Sequence, residues 1–210
     1  MKVRPGVHTF DLDWTRGEPL SVHIVDTDES TILFGSGDDT TAEQVVAIAR
    51  EYAVDAVVVE HGDVDHYRGV PVLRAEIDLE VAVPEGDAGF LLDEDIEPDH
   101  RLTDGEVYRG VLAIEVPGHT PGNMAFLYDG ILIAGDTVAG VDSQYAAAGE
   151  WRGPLTVMDR DHNAMDQRAR DAIRQLTEYE IEAVLVTHGS NVLEGGGEAI
   201  HTLIQDLEDG

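Results

Sequence analysis

The segment His61-Gly62-Asp63-Val64-Asp65-His66 gathers four side chains able to bind a metal ion into six residues, and Gly62 gives its backbone freedom to turn. Imidazole and carboxylate donors suit zinc, iron or manganese. A cation held by them lowers the pKa of its water far enough to make a nucleophile near neutral pH. The chain has no cysteine, so disulfides, thiolate metal sites and cysteine nucleophiles are excluded. Residues of the same types recur downstream. His119 lies in Pro117-Gly118-His119-Thr120-Pro121-Gly122, Asp136 in Gly135-Asp136-Thr137, and His188 in Thr187-His188-Gly189.

Each of these residues stands where a predicted strand ends. The β-branched run 56–59 delivers the chain to Glu60-His61, strand 111–116 precedes His119, strand 131–134 precedes Asp136, and strand 183–187 precedes His188. One histidine in such a place is ordinarily a satisfied structural residue; four of them with an aspartate indicate a site displayed on a rigid scaffold. Upstream, residues 7–12, 21–25 and 31–34 read as strands, the last running into the turn Gly35-Ser36-Gly37. Thr40 and Glu43 predict a capping box opening a helix whose apolar positions include Val45, Val46, Ile48 and Ala49. The acidic, turn-rich stretch 84–106 reads as a surface excursion. Strand 124–128, a loop over 139–154, a long helix over 159–178 and a helix from Glu198 complete the pattern. The prediction is an α/β fold, a single domain over residues 1–210, with helices covering the outer faces of two sheets.

The cluster at 61–66 resembles the His-x-His-x-Asp-His signature of the metallo-β-lactamase fold, with Asp63 where that family carries its second histidine. The segments around His119, Asp136 and His188 match the same family in order. The resemblance implies an αββα sandwich of two mixed β-sheets and a site for two divalent metal ions. His61, Asp63 and His119 would bind the first metal, Asp65, His66 and His188 the second, and Asp136 would bridge them. Asp65 and Asp136 carry the catalytic roles in this reading, and zinc is the expected metal. Three carboxylates among the ligands favour iron or manganese more than an all-imidazole first site would. Aspartate is shorter than histidine, so a single metal is the alternative if Asp63 fails to reach the first site.

A second departure is Phe34-Gly35-Ser36-Gly37, where the family usually has an aspartate in the place of Gly35 to support the metal loop. Tyr67 either polarises a substrate carbonyl or packs on the following helix. His8, His23, His100, His162 and His201 read as surface or packing residues. The stretch containing Trp151, Arg152, Met158 and His162 is the candidate substrate-contacting segment, with Arg152 the cation for an anionic substrate.

Composition narrows the partners. Among 210 residues, 43 acids face 13 bases for a formal net charge of −30, and Lys2 is the only lysine. Such a surface repels nucleic acid and anionic membrane. It reads as that of a cytoplasmic protein from a salt-in halophilic archaeon, because molar salt cuts the Debye length to about 3 Å and screens the self-repulsion. No segment has the length and hydropathy of a membrane span. The expected partner is a small-molecule substrate, bound by a monomer or homodimer. The segment around His119 looks most like the glyoxalase II branch, implying hydrolysis of a thioester or ester. The few residues after His188 cannot form the helical domain that holds glutathione in that branch, so the expectation covers the chemistry and not the thiol carrier. Two other readings share the fold: an iron-dependent oxidoreductase, either diiron oxygen or nitric oxide reductase-like or a sulfur dioxygenase, and a non-catalytic member with a degraded first site.

Overall fold

The computed structural model describes residues 1–209. Its first sheet takes its strands in chain order: β1 (Lys2–Arg4), β2 (Val7–Leu12), β3 (Leu20–Asp26), β4 (Thr31–Phe34), β5 (Ala56–Val58), β6 (Glu80–Pro84) and β7 (His100–Leu102). The second contains β8 (Val107–Tyr108), β9 (Val111–Glu115), β10 (Met124–Tyr128), β11 (Ile131–Gly135) and, beyond the small ribbon of β12 (Ala139–Gly140) and β13 (Leu155–Thr156), β14 (Ala183–Val186). Both sheets are mixed. Pairing is antiparallel from β1 to β4 and parallel from β4 to β7. β8 to β11 pair antiparallel, and β14 adds in parallel to β11.

Three apolar layers hold these sheets. Between them, Val25, Ile32 and Val58 meet Ile133 and Leu185, and the rings of Phe34 and Phe126 pack with centroids 5.1 Å apart. Helices α1 (Ala42–Glu51) and α3 (Val70–Glu76) cover the outer face of the first sheet, burying Val45, Ala49, Val70 and Leu73 against Leu33, Val57 and Val81. Helix α2 (Val64–Tyr67) and α4 (Ala88–Leu92) lie beside the site. On the second sheet, α5 (Asp166–Ala172) leads into a 3₁₀ segment, and α6 (Gly196–Asp209) buries Ile200 and Leu203 on Val184 and Val186. The order is helix, sheet, sheet, helix: the αββα sandwich expected from the sequence.

The connectivity positions the site. β2, β4 and β5 run the same way in the first sheet, and so do β9, β11 and β14 in the second. Their carboxyl ends therefore share an edge, stitched across the sheets by Ser21 N–H to Thr187 C=O (3.0 Å) and Met124 N–H to Glu60 C=O (3.1 Å).

Three sequence expectations need correction. The Thr40–Glu43 capping box does not form. Thr41 is the N-cap, and Asp38 instead accepts from the Thr40 N–H and hydroxyl while Trp14 Nε1 donates to it (2.8 Å). Residues 84–106 are not merely a surface excursion, because Asp87, Ala88, Leu91, Ile96 and Leu102 are buried. The helix expected over 159–178 breaks after His162. There Ala164 and Met165 N–H groups donate to the carbonyls of His119 and Gly118 (2.9 and 2.8 Å), a tertiary demand that overrides local propensity.

Candidate metal centre

Beyond β5 the chain turns through His61, Gly62 and Asp63 into α2, which carries Asp65 and His66 on its single turn. Asp63 has the extended backbone of an N-cap, yet its side chain makes no capping bond. The carboxylate turns into the cleft instead, with Oδ2 3.1 Å from His119 Nε2 and 3.8 Å from His61 Nε2. Asp63 therefore reaches the cluster despite being shorter than histidine. Ser36 fixes the other end of the motif, its N–H and hydroxyl both donating to the His66 carbonyl (2.8 and 2.9 Å).

All seven residues singled out in the sequence come together. Two groups have donor atoms close enough to share a cation: His61, Asp63, His119 and Asp136, and beside them Asp65, His66 and His188. Asp136 stands between the groups. Its Oδ2 lies 3.7 Å from His61 Nε2, 3.5 Å from His119 Nε2 and 3.6 Å from His188 Nε2, while Oδ1 lies 3.5 Å from His66 Nε2. His188 Nε2 is also 3.4 Å from Asp65 Oδ2. The buried Nε2 atoms of His61, His66 and His119 and Oδ1 of Asp136 have no hydrogen-bond partner among the described residues. Native proteins rarely leave buried polar atoms in that state. Convergent imidazole nitrogens and carboxylate oxygens without other partners fit divalent cations.

The electrostatics fit a cation too. Burial pushes His61 well below the ordinary histidine range, and the neighbouring His66 and His119 push it further. Burial also disfavours charge on His66, His119 and His188, but carboxylates outweigh it. Glu60 and Asp136 carry His66 well up, Asp63 and Asp136 raise His119, and Asp136, Asp65 and Glu18 bring His188 up to about 9. Asp136 is held well below the ordinary carboxylate range: burial opposes ionisation there, and the His188 and His66 imidazoles overcome it.

Several supporting residues escaped the sequence reading. Glu60, buried, places Oε2 3.0 Å from His66 Nδ1. Glu18, from the β2–β3 hairpin, places Oε1 3.3 Å from His188 Nδ1. Asn163 Oδ1 faces His119 Nδ1 at 3.3 Å. Asp87, fully buried, accepts from the Gly62 N–H (2.8 Å), the Gly122 N–H (2.7 Å) and the Thr120 hydroxyl, tying the His61 loop to the His119 loop. Glu60 carried a signal, an acid directly following a buried strand. Asp87 carried none, being one acid in an acidic stretch.

The groups open on a cleft of about 430 Å³ with Trp14, Phe90, Tyr145 and Met158 in its walls and Arg16 and His162 at its edge. Tyr67 both lines the cleft and packs into the core. Arg152 is elsewhere. It pairs with Asp206 and with Asp209 (2.9 Å) on α6, which removes it as a substrate contact, and Trp151 packs on the second sheet.

A family model of the metallo-beta-lactamase superfamily matches residues 15–188, a span holding every residue of both groups. The chain belongs to that superfamily. Among related proteins, this metallo-β-lactamase-fold chain is 36% identical over 109 residues to the hydroxyacylglutathione hydrolase of Xanthomonas euvesicatoria, a match covering 48% of this chain and 40% of the enzyme. The hydroxyacylglutathione hydrolase of Methylobacillus flagellatus is 30% identical over 92 residues, covering 44% and 37%. The matched stretches thus span less than half the length of these two relatives. Similar solved structures include a metallo-β-lactamase from Pontibacter korlensis, with a TM-score of 0.74 at 20% identity, covering 100% of this chain and 98% of that one. The metallo-β-lactamase FIM-1 of Pseudomonas aeruginosa in its mono-zinc form gives 0.70 at 21%, covering 98% and 92%. At such identities the likeness establishes the superfamily fold.

Proposed function

We propose that this superfamily member is a metal-dependent hydrolase of the glyoxalase II-like type, cleaving a small thioester or ester. The observation that carries the reading is Asp136, whose two oxygens face all four imidazole Nε2 atoms at 3.5–3.7 Å between the two donor groups. In this reading His61, Asp63 and His119 would hold one divalent cation and Asp65, His66 and His188 a second, with Asp136 available to both. Such cations would supply Lewis acidity, lowering the pKa of water towards 7 and favouring charge on an acyl oxygen.

The chain's own residues account for the rest. Glu60 hydrogen-bonds the Nδ1 side of His66 and Glu18 lies 3.3 Å from that of His188, leaving the Nε2 atoms to face the cleft. Trp14, Phe90, Tyr145 and Met158 give the cleft apolar walls against which an acyl group would pack. Arg16, its guanidinium 5.5 Å from the Trp14 ring centroid and its Nε 3.9 Å from Asp38 Oδ2, is the only arginine or lysine lining the cleft among the described residues, and its exposed side would attract an anionic end of the substrate. The curated relatives named as hydroxyacylglutathione hydrolases support thioester chemistry. The net charge of −30 opposes nucleic acid as substrate.

Asp63 favours a second reading. Its carboxylate at 3.1 Å from His119 Nε2 puts a third acid among the donors, a composition suited to iron or manganese and hence to oxidoreduction. Metal analysis of protein purified in high salt, followed by a thioester, ester and phosphodiester panel, decides between them. Zinc with thioester or ester turnover is the expected result. Iron with oxygen consumption and no hydrolysis would overturn the hydrolase reading.

A further inference from the structure

Gly35 and Glu60 are neighbours in space. They follow the adjacent parallel strands β4 and β5, and the Gly35 N–H donates to the Val58 carbonyl at 3.0 Å. A Cβ built on Gly35 would stand 3.7 Å from both Glu60 carboxylate oxygens and 3.4 Å from Val22. The room left by the missing side chain at position 35 is thus bounded by the carboxylate of Glu60. Gly135 helps from the other side, where a Cβ would come within 3.2 Å of Glu60 Cβ. Between these two glycines Glu60 is 1% exposed and reaches His66 Nδ1 at 3.0 Å.

We propose that Glu60 is the positioning residue of His66, and that positions 35 and 60 are exchangeable sources of that carboxylate, glycine at 35 leaving the room that Glu60 occupies. Gly35 in Phe34-Gly35-Ser36-Gly37 and the acid before His61 are then the two halves of one exchange. The physical case rests on what a buried carboxylate needs. Glu60 has lost its water, and such a charge is tolerated when a donor faces it. Nδ1–H of His66 is that donor. Placing the proton on Nδ1 leaves the Nε2 lone pair aimed at Asp136 and the cleft, the tautomer a metal ligand requires. Position 35 must then stay small, because a carboxylate there would crowd that of Glu60, whose oxygens stand 3.7 Å from where its Cβ would be.

The inference rests on reading these residues as a metal centre, and its test separates the two. Zn²⁺ is titrated into the metal-stripped full chain against a chromophoric chelator, with circular dichroism as a check on folding. Wild-type protein that takes up no Zn²⁺ would sink the metal-centre reading and this inference together. With wild-type binding established, Glu60→Gln keeps the shape and removes the charge, and it should weaken the affected Zn²⁺ equivalent about 10–100-fold. Affinity within twofold of wild type would overturn the inference alone. The discriminating variant is the transplant. Gly35→Asp in the Glu60→Ala background should recover at least about tenfold over Glu60→Ala; the φ of +78° at this position strains any side chain, and aspartate is among the residues that adopt such a backbone most often. A merely space-filling Glu60 predicts no rescue, and a folded double variant no better than Glu60→Ala would count against the exchange. Should Glu60→Ala not fold, the same transplant in the Glu60→Ser background, which also vacates the room beside position 35, puts the exchange to the same test, with rescue expected and its absence counting against it.

Discussion

The two donor groups around Asp136 are similar in composition and differ in how they are held. Asp65, His66 and His188 form the inner group. The side chains of Asp65, His66 and His188 are 12%, 1% and 3% exposed; Glu60 hydrogen-bonds His66 Nδ1, and Glu18 lies 3.3 Å from His188 Nδ1 as an ion-pair neighbour without hydrogen-bond geometry. His61, Asp63 and His119 form the outer group. Here the Asp63 side chain is 46% exposed, His61 Nδ1 has no partner among the described residues, and His119 Nδ1 faces only the amide of Asn163. Setting aside the shared Asp136, the inner group has three carboxylates, Asp65, Glu60 and Glu18, and the outer group has one. The outer group is ordered through its backbone instead, since Asp87 grips the Gly62 and Gly122 N–H groups on the two loops that carry His61 and His119. Negative charge draws a cation, and loop order only preserves the shape that receives it. The inner group should therefore bind first and more tightly.

The largest effect tests what the groups share. Asp136→Ala removes the one carboxylate facing all four imidazoles, so metal should be lost from both groups and turnover should fall by more than the ~100-fold that loss of a ligand's supporting partner can cost. Retention of one full metal equivalent would show that one group stands without Asp136 and would break the symmetry assigned to it. Elemental analysis after dialysis, beside initial rates on the best substrate of the panel, reads both quantities.

A smaller effect separates the groups. Asp63→Asn takes away the outer group's own carboxylate and should leave one tight Zn²⁺ equivalent per chain. Asp65→Asn leaves Glu60 and Glu18 behind the inner imidazoles, so two equivalents should still load at saturating Zn²⁺, the tighter one weakened about tenfold. The reverse pattern, with Asp65→Asn losing an equivalent and Asp63→Asn keeping both, would invert the comparison. Asp63→His offers the complementary gain: a longer imidazole at position 63 should tighten the weaker equivalent, and no change there would mean that Asp63 already serves the outer group well.

The same contrast explains what could be read from the sequence. The seven donors were legible because each stands at or just after a strand end, and the topology brings those ends to one edge. Residues that only support a donor had no such marker. Glu18 comes from a hairpin far from His188 in sequence, and Asp87 lies in an acidic stretch where another aspartate attracts no notice. Arg152 drew notice as a cation near the expected cleft, yet it is committed to Asp206 and Asp209, as arginines in so acidic a chain tend to be. The long helix over 159–178 failed for a related reason. Local propensity favoured it, but the His119 loop needed the N–H groups of Ala164 and Met165, and Asn163 was needed beside His119 Nδ1.

The smallest expected effect falls on Asp87 and tests whether backbone order matters to the outer group. Burial raises the Asp87 carboxyl above its ordinary range even though three donors oppose the shift, so part of its charge is held at a cost. Asp87→Asn keeps one acceptor oxygen but turns an NH₂ towards the Gly62 and Gly122 donors, leaving one of them unmet. Losing a buried hydrogen bond in this way costs about 1–3 kcal/mol of stability, measurable by urea unfolding. The decisive measurement is which Zn²⁺ equivalent weakens. His61 and His119 ride on the two loops that Asp87 joins, whereas His66 is held through its carbonyl by Ser36 and at Nδ1 by Glu60. The weaker, outer equivalent should therefore loosen by several-fold while the tighter one holds. Equal loss from both would mean that Asp87 stabilises the edge as a whole, and the division between a charge-held and a backbone-held group would then have to be given up.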